Sequence, residues 1–168
     1  CKKPASGANW DALLTEDCAN LADYNLFASS SDVTRSPLSG GIPYDLSTQL
    51  FTDYASKYRF VFVPENTAIN YTQNESLEFP VGSVLVKTFA MPEDTAFRGS
   101  SNERLIETRL LIHRANGWAA LPYVWNESGT SASLAIAGKN IPMQVVHNGQ
   151  AKEFIYGVPD VNKCKQCH

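Results

Sequence analysis

Arg104-Leu105-Ile106-Glu107-Thr108-Arg109-Leu110-Leu111-Ile112-His113 alternates Leu105, Glu107, Arg109 and Leu111 with Ile106, Thr108, Leu110 and Ile112. A period of two over ten residues is the signature of a β-strand, because successive side chains leave opposite faces of the backbone. Ala115-Asn116-Gly117 supplies a turn, and Trp118–Trp125 returns as the hairpin partner. Outward from this hairpin, Tyr58–Val63 is aromatic and β-branched and is ended by Pro64. Val84–Phe89 sets Val84, Val86 and Thr88 against Leu85, Lys87 and Phe89. Shorter strands are expected at Ala132–Ala137, Met143–Val146 and Glu153–Val158. Seven or so short strands with polar turns predict a mainly β chain, an antiparallel β-sandwich or jelly-roll-like domain.

The N-terminal third reads differently. From Asn9 to about Leu26, apolar residues fall at Trp10, Leu13, Leu14, Cys18, Leu21 and Tyr24. That spacing fits one helix face, or two short helices broken near Thr15, with Asn9 as N-cap. Residues 28–43 are rich in Ser, Gly, Asp and Pro and read as a loop. A short helical turn is expected over Thr48–Ala55. The organisation is therefore a tether at 1–8, a helical and loop segment at 9–57 packed on the sandwich, the sandwich itself at 58–158, and a C-terminal tail at 159–168.

The tail carries the chemistry. Cys164-Lys165-Gln166-Cys167-His168 is C-x-x-C-H, the attachment pattern of a c-type haem. Two thiols add across the haem vinyl groups and the histidine becomes the proximal iron ligand. A chain of this size shows the pattern by chance on the order of once in a thousand. The competing reading is a dithiol or half of a zinc site. Redox dithiols favour a βαβ context and zinc needs a second ligand pair. There is no second C-x-x-C, and His113 and His147 stand alone.

Composition narrows the rest. The 168 residues are 43% apolar and 11% aromatic, enough for a proper core, and 14 Lys and Arg against 17 Asp and Glu give a net charge of −3. Nucleic acid is therefore not an expected partner. No apolar run approaches the length of a membrane span. Haem c attachment belongs outside the cytoplasm, in the periplasm, on the outer membrane or cell surface, or in the extracellular space. Cys1 at the head of a polar run is a lipidation candidate, the alternative being a chain boundary that falls on a cysteine. Cys18 is then either a buried thiol or the partner of Cys1 in a disulfide. The sequons at Asn70, Asn74 and Asn126 read as loop markers.

Several phrases resemble a known family. Leu21-Ala22-Asp23-Tyr24-Asn25-Leu26-Phe27, then Gly41-Ile42-Pro43-Tyr44-Asp45-Leu46-Ser47-Thr48-Gln49-Leu50-Phe51-Thr52-Asp53-Tyr54-Ala55, begin the series. Phe79-Pro80-Val81-Gly82-Ser83-Val84, Leu105-Ile106-Glu107-Thr108-Arg109-Leu110-Leu111 and Tyr123-Val124-Trp125-Asn126 continue it. Together they resemble the N-terminal region of bacterial diheme c-type cytochromes, often lipoproteins, with related modules ahead of cytochrome domains in quinoprotein dehydrogenase fusions. The likeness runs from Asn9 to His168. It implies an exported electron-transfer protein whose first haem site is Cys164, Cys167 and His168. Family members continue past this point to a second haem; this chain stops on the proximal histidine.

One covalent haem c is thus the expected cofactor. Candidates in this chain for the sixth iron ligand are His147, His113, Met143 and Met91, each with a plainer role as an edge histidine or core filler. A haem on a terminal tail leaves apolar surface exposed unless a redox partner or an identical subunit covers it, which admits a head-to-tail, filament-like array. Asp45 and Asp53 are expected to cap or pin the loop-helix segment before the sandwich. Glu107 and Arg109, two apart on one strand face, are expected either to form an ion pair or to bind cross-strand partners. No catalytic arrangement is visible, so the chain reads as an electron carrier. Oxidase or peroxidase chemistry would follow only from a five-coordinate iron. The alternative function is a non-catalytic structural or binding sandwich, a fragment of a longer diheme cytochrome.

Overall fold

The computed structural model describes residues 1–166 apart from 3, 5, 29–32, 34–36 and 39, with the backbone alone at 100 and 164–166. The chain runs through α1 (Trp10–Thr15), a 3-10 turn (Leu21–Tyr24), and strands β1 (Gly41–Pro43), β2 (Ser56–Phe62) and β3 (Val84–Pro92). A second 3-10 turn (Ser100–Asn102) precedes β4 (Glu103–Arg114), β5 (Gly117–Trp125), β6 (Ala132–Leu134), β7 (Lys139–His147), β8 (Gln150–Val158) and α2 (Val161–Gln166). Strands β1 to β6 form one antiparallel sheet in sequential order, and β7 and β8 form a second, two-stranded antiparallel sheet. The fold is mainly β and sandwich-like. Its strand order is a meander, without the crossovers of a jelly roll among the described strands.

Period two decides which residues go to which face. Phe60, Phe62, Val84, Val86, Leu110, Ile112, Leu121 and Tyr123 point to one side of the large sheet and are buried there. The N-terminal segment covers them with Leu13, Cys18, Leu21, Tyr24 and Leu26. On the opposite side, Met143, Val145, Tyr156 and Val158 of the β7–β8 hairpin pack on Met91, Ile106 and Val124. A register shift between Phe89 and Ala90 marks a bulge where the hairpin docks.

The N-terminal segment breaks after Thr15, and Asn9 caps α1 by accepting from the Ala12 amide at 3.3 Å. Arg114 at the end of β4 donates to the carbonyls of Leu13 and Glu16 and pairs with Asp17, satisfying α1's orphan acceptors. Cys18 is buried beneath Tyr123, whose hydroxyl donates to the Cys18 carbonyl at 2.7 Å. Its sulfur is bonded to Cys1, with the Cα atoms 5.5 Å apart. Of the fates considered for these cysteines, the structure shows the disulfide. While that bond stands, the Cys1 sulfur has no valence left for a lipid thioether.

Two expectations are corrected. Thr48–Ala55 is not helical: Asp53 and Tyr54 both take positive φ, 41° and 67°, which turns the chain sharply instead. Leu50 and Phe51, the apolar residues a helix would have buried, stay exposed. The final hairpin is longer than expected, nine residues a side, because Lys139 and Asn140 at one end and Gln150 and Ala151 at the other are exposed and carry no apolar alternation to mark the strand.

Candidate functional site

The C-terminal tail is held in place by backbone chemistry. After Val158, Asp160 Oδ1 accepts from the amides of Asn162 and Lys163, both at 2.9 Å, and so caps α2. The Val161 amide donates to the Ile136 carbonyl at 3.2 Å, tying α2 to the β6–β7 loop. Gly138 in that loop has φ +71°, and a Cβ there would lie 2.5 Å from the Val158 carbonyl oxygen. Only glycine permits this approach. The helix packs against β5. Cys164 lies within α2, whereas Cys167 and His168 fall outside the described residues.

The sheet face next to α2 is the half that the β7–β8 hairpin leaves uncovered. It forms a cavity of about 340 Å³ with apolar walls that include Leu46, Leu85, Leu111 and Pro159. Four cations reach the same cavity: Arg59, Lys87, Arg109 and, from α2 itself, Lys163. The first three stand abreast, because Arg59 of β2 pairs with Lys87 of β3 and Lys87 with Arg109 of β4.

Each outer member of this row has a counter-ion. Arg59, itself buried, meets the exposed Asp45 at 3.1 Å, which pins the loop before β2 as the sequence suggested. Arg109 holds Glu107 through two hydrogen bonds of 2.8 and 2.6 Å, the expected same-face pair. Glu107 is fully buried and also accepts from the Tyr156 hydroxyl at 2.7 Å. Burial and the Glu107 charge push the Tyr156 phenol far above its ordinary value, so it remains a donor. Lys87 has no carboxylate partner among the described residues. Its ammonium rests 4.8 Å from the centre of the Phe89 ring, with Arg109 4.5 Å from the same centre. Burial, then Arg59, Arg109 and Lys57, lower its pKa from 10.5 to about 8.

Compared with known proteins, the chain matches no family model, no curated protein and no solved structure.

The four sixth-ligand candidates are dispersed. Met91 and Met143, the latter on β7 of the hairpin itself, are buried in the core between the hairpin and the large sheet, and Met143 Sδ accepts from Arg104 at 2.8 Å. His147 pairs with Gln150 at the hairpin tip, the opposite end from Val158. The strand between them spans about 26 Å. Both of its nitrogens are engaged, Nδ1 with Thr95 at 2.9 Å and Nε2 with Asn148 at 3.3 Å. His113 is different. It continues the row Glu107, Arg109, Leu111 on the cavity face, about 7 Å beyond Leu111. Its Nδ1 lies 2.8 Å from the Phe79 carbonyl, which only accepts, so Nδ1–H is the donor there and Nε2 is the nitrogen left out of that bond. Trp118 stacks on the ring at 4.6 Å and fixes its plane.

Among the described residues, Cys1, Glu16 and Cys18 are the group of acid and thiol side chains close enough to share an ion, and there the two sulfurs are bonded to each other. No described helix is long and apolar enough to cross a membrane.

Proposed function

We propose that the chain is an exported c-type cytochrome carrying one haem on Cys164 and Cys167, with His168 as proximal ligand, and that it works as an electron carrier. The observation that carries this reading is the seating of α2. The segment that opens the C-x-x-C-H motif is capped, anchored and packed beside the one half of the sheet face that is apolar, concave and uncovered by the hairpin. The residues present fit the group: apolar walls suit a macrocycle and cations suit its carboxylates, while on the same sheet face His113 has its Nδ1 held by the Phe79 carbonyl, which leaves Nε2 as the nitrogen for the iron. A bound haem supplies a reversible one-electron iron couple there.

The chain's own groups do the rest. Asp160 and Ile136 hold the attachment helix, Leu85 and Leu111 exclude water from one side, and Trp118 with Phe79 keeps His113 in one tautomer and one plane. At about 340 Å³ the cavity stands at the small end of ligand sites. Part of the macrocycle would remain outside, for a redox partner or a second copy of the chain to cover. The Cys1–Cys18 disulfide supports export, since such bonds persist in oxidising compartments. In this reading no lipid on Cys1 is required.

Redox titration of the haem-loaded protein tests it. Reversible one-electron behaviour with a six-coordinate spectrum is the expected result. A five-coordinate, readily autoxidised haem would instead favour oxidase or peroxidase chemistry, or a structural sandwich that belongs to a longer cytochrome.

A further inference from the structure

Like charges placed directly across neighbouring strands repel and destabilise a sheet. Arg59, Lys87 and Arg109 nevertheless stand in consecutive cross-strand register on β2, β3 and β4. Asp45 answers the first and Glu107 the third, which leaves the middle cation facing the cavity without a carboxylate among the described residues. The Phe89 ring under both Lys87 and Arg109 holds them in place. Lys163 brings a further positive charge from the attachment helix to the same cavity. Such a row is stable when an anion completes it.

The chemistry of that anion follows from the walls. A small inorganic anion gains nothing from Leu46, Leu85, Leu111 and Pro159, whereas a carboxylate borne on a large apolar body satisfies both halves of the cavity. We propose that Arg59, Lys87 and Arg109 are the seat for the propionate carboxylates of the haem carried at α2, with Lys87 as the residue whose charge is matched by that group alone. This rests on the haem reading above and names the contacts by which the sandwich, rather than the tail, orients the macrocycle. The seat lies about 13 Å along β4 from His113, so one strand would address the carboxylate edge and the iron of the same group.

The test is a comparison of midpoint potentials in the haem-loaded wild type, Lys87→Gln and Lys87→Arg. Removing one positive charge leaves the propionates less compensated, which favours ferric iron. Lys87→Gln is therefore expected to shift to lower potential, while Lys87→Arg stays near the wild type. A haem that attaches normally but has the same potential in all three proteins overturns the seat and leaves the haem reading standing. Absence of attached haem removes both. Sodium laurate, a free carboxylate on an apolar chain, supplies a second arm. If it binds the haem-loaded wild type but not Lys87→Gln, the occupant is a free amphiphile and the propionate assignment falls; no binding to the haem-loaded protein is the expected result.

Discussion

Lys87 and Arg109 share one aromatic ring: directly opposite each other on β3 and β4, they lie 4.8 and 4.5 Å from the centre of Phe89. Two cations on one ring, with Arg59 on the other side of Lys87, crowd like charges around the Lys87 ammonium. Its cost has a pH signature. Lys87 has a folded pKa of about 8 against an ordinary 10.5, so the folded state binds fewer protons between those values and stability rises with pH through that window. Below about pH 8 the lysine is charged in both states and the penalty is constant. In the haem-free Cys164→Ala/Cys167→Ala protein, Lys87→Met should therefore melt higher than its Lys87 parent at pH 7, and the gap should narrow as pH rises from 8 to 10. Thermal melts across that range check it; a gap independent of pH would show that Lys87 is not held in this way.

Glu107 sits at the other extreme of compensation. It is fully buried and receives three hydrogen bonds, two from Arg109 and one from Tyr156. Removing one partner of a buried pair costs about 3–5 kcal/mol, and because Arg109 retains some exposure the lower end applies. Glu107→Ala should lose about 3 kcal/mol in urea unfolding. Tyr156→Phe, which removes a single donor to a charged acceptor, should lose about 1.5–3 kcal/mol.

The Cys1–Cys18 disulfide closes a loop of 17 residues in sequence separation beneath the main core. Constraining a loop of that size stabilises by roughly 3 kcal/mol in the chain-entropy account. Reduction with a phosphine should shift the urea midpoint downward by that equivalent. An unchanged midpoint would show that the N-terminal cover holds without the bond.

The strands were legible because one face of each is regular and apolar, as in Leu110 and Ile112 against Val84 and Val86. Helix and cap at Asn9 were legible for the same reason. Three things were not. Lys87, Arg59 and Arg109 lie far apart in the chain, and only the strand register brings them abreast; with a net charge of −3 there is no compositional sign of a cationic row. The Thr48–Ala55 turn failed as a helix because Asp53 and Tyr54 take the left-handed region, which no apolar spacing reveals. The merits of His113 over His147 were invisible too, since they depend on which carbonyl or hydroxyl each ring meets.

That last contrast gives a spectroscopic prediction. In haem-loaded protein, His113→Ala should convert a low-spin ferric spectrum to high-spin, because the imidazole whose Nε2 is left out of the Phe79 hydrogen bond is lost from the cavity face. His147→Ala, at the far tip of the hairpin, should leave the spectrum unchanged. The reverse pattern would place the iron elsewhere.

Whether the chain carries haem is read from the intact mass of the protein expressed in a host that matures c-type haem, measured beside Cys164→Ala/Cys167→Ala and a control cytochrome. The expected result is the mass of the chain plus one covalently bound haem in the wild type, and no haem in the double variant. A wild-type mass equal to the bare chain, under conditions that load the control, would contradict it.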